Sequence, residues 1–511
     1  MNLALSRKKN KGAPAAAAAG RPPKEPTPKR PGSRGWLGRG RGESVVIDPA
    51  PEYRGSTKQV CGLWPWVAGT GTPMIGVPFG NHLQSGAQVC CDPISWYQRA
   101  SLISNPSLFV MSIPGVGKTS AVMRMALGLA DRGVLPLVLG DTRPDYVDLI
   151  DSLDGQHNPI GRNRGAINVL DSGEAPAAAE RLRAAGWEQA ADEILSDAHG
   201  LRHNMLCALI VILRKAPLGV REETILARAI TWLDENHEGT PILPDLLEVV
   251  RAAPPELREA ALDRGDDERY KAVTEELEAA LIALMPGGRF GDVFARQTTK
   301  PMRSDTPVAF DVSAIPASDG DLRAAALMAS WSAGFAVVGI SQVLADYGLQ
   351  ERRHYFVIMD ELHQALKAGP GLVDRVDYLT RLNRTEGVGL AMVTHTLKDL
   401  RSLPRAEDVT KAMGFIERAG MLITGGLPMS EMPELSKAYP LSKVEQNLLA
   451  SWTAPPAWDP KHGRDAPPPG RGKFLIKVGG RPGIPVSVSL TEAEKNVHMS
   501  ARRWKKGEDK A

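Results

Sequence analysis

Cysteine is scarce in this chain, with four in 511 residues. Cys61, Cys90, Cys91 and Cys207 form neither a C-x-x-C pair nor an even ladder, so no zinc module or disulfide framework is indicated and a reducing compartment is expected. Charge of one sign is lacking too, the net being +3. Its distribution is uneven: residues 1–50 hold 11 Lys/Arg against 3 Asp/Glu, the last eleven residues hold 5 against 2, and the body between is left at −8. An acidic body with basic ends is no standing nucleic-acid surface; the ends are the electrostatic arms. Long apolar runs are also missing. The start, "MNLALSRKKNKG", has too short an apolar stretch, in the wrong order, for a signal peptide. The uncharged segment Ala324 to Ile340 has 17 residues rich in Ala, Ser and Gly. Spanning a bilayer takes about 20 strongly apolar residues, so a buried helix is expected there and no membrane span. No Ser-His-Asp set, metal cluster or dinucleotide G-x-G-x-x-G pattern rises above background.

What is present is an alternation of short apolar runs and helical patterns. Residues 1–55 are rich in Pro, Gly, Ala, Lys and Arg and cannot bury enough apolar area to fold, so a disordered basic tail is expected. Residues 56–105 read as a small β-hairpin lead-in. "LFVM" and "VLPLVLGD" are buried strands, with a helical pattern through Ala130 between them. Helical patterns dominate 176–299, and strand signals return in "PVAFDVSAI", "HYFVIMDELH" and "GVGLAMVTHT". A Pro-rich linker then precedes a last hairpin, "GKFLIKVGGRPGIPVSVSL". Strands alternating with helices imply βαβ units and a mostly parallel sheet between helices. The expected fold is therefore α/β, with the core split into 106–175 and 300–428 by an all-helical insert. Residues 429–511 form a C-terminal helix, linker and hairpin.

Chemistry enters at "FVMSIPGVGKTS", Phe109 to Ser120. A phosphate-binding loop curls backbone N–H groups round phosphates, and glycines stand where side chains would collide. Gly115 and Gly117 fill that need, Pro114 stiffens the turn, and Val116 and Ser120 complete the stretch. Lys118 would reach the β/γ-phosphates and Thr119 would bind Mg²⁺. Ser112 stands where the G-x-x-x-x-G-K-[ST] pattern has its first glycine, which weakens the pattern without breaking it. In "YFVIMDEL" a buried strand ends in two carboxylates. Asp360 would hold the Mg²⁺ water shell and Glu361 would polarise the attacking water. A third strand, "GLAMVTH", ends at His395, in position to sense a γ-phosphate or to be a surface histidine. Upstream of it lie Arg375, Arg381 and Arg384; Arg381 or Arg384 would serve as an arginine finger across a subunit boundary, or sit exposed on a helix.

These segments, in the order strand–GVGKT–helix, "VLGDTRPDY", "INVLD", helical insert, "FDVSAI", "VIMDELHQAL" and "NRTEGVGLAMVTHT", resemble the VirB/TraC-type conjugation ATPases. That family belongs to the HerA/FtsK-like branch of RecA-fold P-loop motors and serves type IV secretion. The resemblance covers roughly residues 75–490, the motor half of the family, without its long N-terminal domain. It rests on the spacing from loop to acid pair and on Asp141 followed by Asp145-Tyr146. This chain departs from the family pattern at Val169, at Leu362-His363, and at His395, where glutamine is common.

The resemblance implies a RecA-like core, ATP and Mg²⁺ as ligands, and a homo-oligomer, a hexamer, with ATP between subunits. It also implies membrane-channel proteins of a transfer apparatus as partners, with docking from the cytoplasmic face. Two other readings stand beside it: a HerA/FtsK-like DNA translocase or coupling ATPase, with DNA as partner, and an ATP-binding scaffold with little turnover.

Overall fold

The computed structural model describes residues 71–367, 373–374, 376–377, 387–403, 405–459 and 464–497. The tail 1–55, Arg375, Arg381 and Arg384 lie outside the described residues.

Short all-apolar runs form the centre of a sheet because both of their faces are covered. The strands, in chain order, are β1 (Pro78–His82), β2 (Gln88–Cys90), β3 (Ser107–Met111), β4 (Val134–Asp141), β5 (Gln156–Pro159), β6 (Val308–Asp311), β7 (His354–Met359), β8 (Val388–Thr394), β9 (Met421–Thr424), β10 (Trp458–Asp459), β11 (Arg464–Asp465), β12 (Lys473–Lys477) and β13 (Ile484–Ser487). Eleven of them make one sheet in the order β2-β1-β13-β12-β9-β3-β8-β7-β4-β6-β5, while β10 and β11 form a separate short ribbon. From β9 to β5 every pairing is parallel. From β9 to β2 every pairing is antiparallel.

The expected parallel core is thus present, and it carries an extension that local sequence patterns did not reveal. The lead-in hairpin and the C-terminal hairpin join each other, Asn81 opposite Ser487, and both extend the sheet beyond β9.

Between β5 and β6 the chain leaves for six helices: Ala175–Ala184, Glu188–Arg214, Val220–Asn236, Leu243–Ala252, the short Pro255–Ala261 and Asp267–Ala283. It returns to the neighbouring strand, so the excursion leaves the sheet's order uninterrupted. "INVLD" is loop and hands the chain to the first of these helices.

The uncharged segment lies within the helix Gly320–Asp346, which by length and composition could cross a membrane. Yet 72% of its most apolar window is buried inside the molecule. Two missing side chains let this helix lie directly on β4. A Cβ on Gly140 would meet Leu327 at 2.3 Å, and one on Gly334 would meet Leu139 at 2.4 Å. Ser330 Oγ then donates to the Leu139 carbonyl at 2.8 Å.

Candidate active site at the carboxyl ends of the parallel strands

In an open parallel sheet, ligands bind beyond the carboxyl ends of the strands. The register brings four such ends side by side. Met111 of β3 pairs with Thr394 of β8 and with Thr424 of β9, and Met359 of β7 pairs with Met392 of β8. The loop after β3, the acid pair after β7 and His395 after β8 therefore share one edge, with the turn after β4 flanking them.

The loop from Ser112 to Gly117 enters the helix Lys118–Ala130, whose N-terminus has no side-chain cap. Gly115 (φ +83°) and Gly117 (φ +106°) lie in the left-handed region, and a Cβ on either would meet nothing within 4 Å. Open space with uncapped N–H groups suits phosphate oxygens. Ser112 is fully buried and outside the positive-φ region, and its hydroxyl donates to the Ile113 carbonyl at 3.0 Å. The loop's back rests on the turn after β9 and on the C-terminal hairpin. Ile113 N donates to Gly426 O at 3.1 Å, and Gly472 N donates to Val116 O at 2.8 Å. Pro114 is exposed, Val116 buried, and Thr119 and Ser120 half-buried.

Lys118 is nearly buried and donates to the Ser112 carbonyl at 2.8 Å. Its Nζ also lies 2.9 Å from His395 Nδ1. An ammonium can only donate, so Nδ1 accepts and the ring's other nitrogen carries the hydrogen. That nitrogen, Nε2, lies 3.3 Å from Glu361 Oε1. Burial pulls the Lys118 pKa below the ordinary lysine value, while the charges of Asp360 and Glu361 oppose the shift.

Glu361 is a non-glycine residue at φ +53°, a costly conformation that clusters at functional sites. Its N–H donates to Asp360 Oδ1 at 2.8 Å, and the Tyr146 hydroxyl donates to Asp360 Oδ2 at 3.2 Å. Burial, aided by the charge of Glu361, raises the Asp360 carboxyl to about 6. Burial also pushes Glu361 upward, but the hydrogen bond from His395 and the positive charge of Arg143 are among the effects that hold it at about 2. The Asp141 carboxyl accepts from Tyr146 N at 2.7 Å and Arg143 N at 3.1 Å, fixing the turn that delivers Tyr146. Its burial raises it to about 8 against those bonds.

Lys118, His395, Glu361 and Asp360 are thus brought together, with Thr119 on the next position of the lysine's helix. Tyr146 was singled out as part of a motif, and its bond to Asp360 gives that motif a physical sense. Sequence reading passed over His363 except as a departure from the family pattern; its Nδ1 lies 3.5 Å from Glu361 Oε2. Its one signal was a second titratable residue beside the acid pair.

Among the described residues no group of three or more His, Cys, Asp or Glu side chains could hold a metal ion. One carboxylate and one hydroxyl, Asp360 and Thr119, instead suit Mg²⁺, which keeps several waters and shares its coordination with substrate phosphates.

No family model and no curated protein matches this chain. Among solved structures it is similar to VirB4 of Thermoanaerobacter pseudethanolicus, at a TM-score of 0.58 and 16% identity, covering 84% of this chain and 99% of that one. It is also similar to the plasmid coupling protein TrwB in complex with the ATP analogue ADPNP, at a TM-score of 0.49 and 13% identity, covering 87% of this chain and 96% of that one. The fold is that of VirB4, a RecA-like P-loop architecture.

Proposed function

We propose that the chain is an ATP-hydrolysing motor that energises conjugative DNA transfer or substrate secretion through a type IV-like apparatus. The observation that carries this reading is the convergence of Lys118, His395, Glu361 and Asp360 at one sheet edge of the VirB4 fold. In it, the N–H groups from Gly115 to Thr119 cradle the phosphates and Lys118 neutralises the β/γ oxygens. Thr119 and Asp360 hold Mg²⁺, which when bound offsets phosphate charge. Tyr146 aims Asp360. Glu361 takes a proton from water as the water oxygen bonds to the γ-phosphorus, and the bond to the bridging oxygen breaks with its electron pair leaving on ADP. His395 joins Lys118 to Glu361 and so couples phosphate binding to the base. Arg381 or Arg384 supplies the finger from a neighbouring subunit of a hexamer. The motor docks on channel proteins at the cytoplasmic face of the membrane.

Steady-state ATP hydrolysis tests this, comparing wild type, Lys118→Ala and Glu361→Gln, with and without DNA. Wild type should turn over; Lys118→Ala should lose binding and turnover; Glu361→Gln should bind ATP and hardly hydrolyse it. Near-zero rates in all three, with ATP bound by the wild type, would overturn the motor and leave the scaffold. DNA stimulation that falls steeply with salt would redirect the reading to a DNA translocase, because phosphate contacts release counterions.

A further inference from the structure

We propose that His363 is a positioning residue which, together with His395, grips the Glu361 carboxylate by both oxygens and fixes the direction in which it meets water. The proposal rests on the hydrolytic reading above and deepens it.

Glu361 has three side-chain torsions, and a base that must meet one water loses rate when they wander. Its backbone is already pinned, by the left-handed φ and by its N–H bond to Asp360. Its two carboxylate oxygens then face two imidazoles. His395 Nε2 is 3.3 Å from Oε1, and His363 Nδ1 is 3.5 Å from Oε2. The two rings sit 5.6 Å apart, inclined at 56°.

The partners arrive from independent elements. His395 directly follows β8, and its tautomer is set by Lys118. His363 sits in the first turn of the helix Leu362–Lys367, directly after the glutamate. Glu361 and His363 are almost equally enclosed, with 12% and 13% of their side chains exposed, so solvent does little to hold either in place.

At 3.5 Å the contact from His363 Nδ1 is too long for a hydrogen bond, and the nitrogen is buried without a partner among the described residues. Catalytic hydrogen bonds that are long without substrate tighten when it binds, and Glu361 Oε2 is the acceptor on which this one would close. A buried ring nitrogen left this way calls for an explanation. A carboxylate has about four acceptor sites. One histidine on each oxygen therefore orients Glu361 and still leaves room for a water.

Kinetics of the full chain decide the matter. His363→Ala should lower kcat by roughly 10-fold or more, the usual loss for an outer-shell partner. KM for ATP and binding of a fluorescent ATP analogue should stay within about twofold if the residue acts only through Glu361. His363→Asn, whose amide nitrogen can stand near the Nδ1 position, should recover most of the loss. In a Glu361→Gln background, His363→Ala should cost nothing further, since residues acting as a unit are not additive.

An unchanged kcat in His363→Ala, or an extra loss in the double variant, would overturn the proposal. Should His363→Ala fail to fold, comparing His363→Asn with His363→Gln decides. Activity in Asn alone supports the grip, and activity in Gln alone or equally in both refutes it. A wild type without turnover would remove the hydrolytic reading itself, a result separate from an active wild type indifferent to position 363.

Discussion

At the scale of single residues, the loop shows which glycines a phosphate cradle needs. Only positions 115 and 117 adopt positive φ, and only they have open space where a Cβ would stand. Ser112 lies in the strand's continuation, where any small residue fits. The accommodation is made across the sheet: a Cβ on Gly425 would meet Ser112 Cβ at 2.7 Å and Val116 Cγ1 at 2.8 Å. The serine in the loop is therefore matched by a glycine after β9. Ser112→Gly should leave kcat within about twofold. Gly117→Ala should weaken nucleotide binding more than 10-fold, from a left-handed backbone costing about 1–2 kcal/mol and a methyl in the phosphate space. Steady-state ATP hydrolysis checks the first, and titrating a fluorescent ATP analogue into the variant checks the second. The loop, the acid pair and His395 were legible in sequence because each follows an uninterrupted apolar strand. His363 and the Lys118–His395 bond were not, since 277 residues separate the latter pair and no periodicity records a tertiary contact.

At the scale of elements, the C-terminal segment is tied to the nucleotide-binding helix. Arg124, one turn and a half beyond Lys118, donates through Nε to Glu494 Oε1 at 2.7 Å and through NH1 to Phe79 O at 3.0 Å. One guanidinium so joins the loop's helix to β1 and to the helix Glu492–Val497. Burial pushes the Glu494 carboxyl up, but Arg124 and the Thr491 N–H and hydroxyl outweigh it and hold the group at about 2. A carboxyl held below its unfolded value of about 4.3 stabilises the fold above that pH and stops doing so as pH falls toward 2. Glu494→Gln should therefore melt lower than wild type at pH 7, by roughly 1.5–3 kcal/mol for a bond to a charged group. The gap should close as pH drops from about 4.5 to about 2.5, as read by thermal melts followed by circular dichroism. Equal melting at pH 7 would mean the clasp contributes nothing. The pairing of the two hairpins was invisible in sequence for a simple reason: each looks like a small unit by itself, and the partner strand lies about 400 residues away, Asn81 against Ser487.

At the scale of the whole molecule, the helical insert is distinct in sequence and continuous in packing. The alternation of patterns marks it clearly, since 3.6-residue periodicity replaces apolar strands over more than a hundred residues. Packing erases the boundary. A single buried cluster runs from Leu137 and Leu139 of β4, through Leu327 and Trp331 of the helix Gly320–Asp346, to Leu206 and Leu209 of the insert. A second cluster joins Ala178, Leu182 and Ile194 of the insert to Ile340 and Leu344 of the same helix. That helix therefore owes its burial to the sheet on one side and the insert on the other, which is how so apolar a segment is kept from water. Replacing residues 175–283 by a short Gly/Ser linker keeps β5 beside β6, because the two strands are neighbours in the sheet. It would nevertheless bare the face of Gly320–Asp346 carrying Ile340 and Leu344, and large exposed apolar patches drive association. The shortened chain should aggregate in size-exclusion chromatography. A variant that also converts Ile340 and Leu344 to Gln should elute more nearly as a discrete species. A shortened chain that stays monodisperse and binds ATP without those changes would show that the insert is an independent domain, and that the sheet buries this helix unaided.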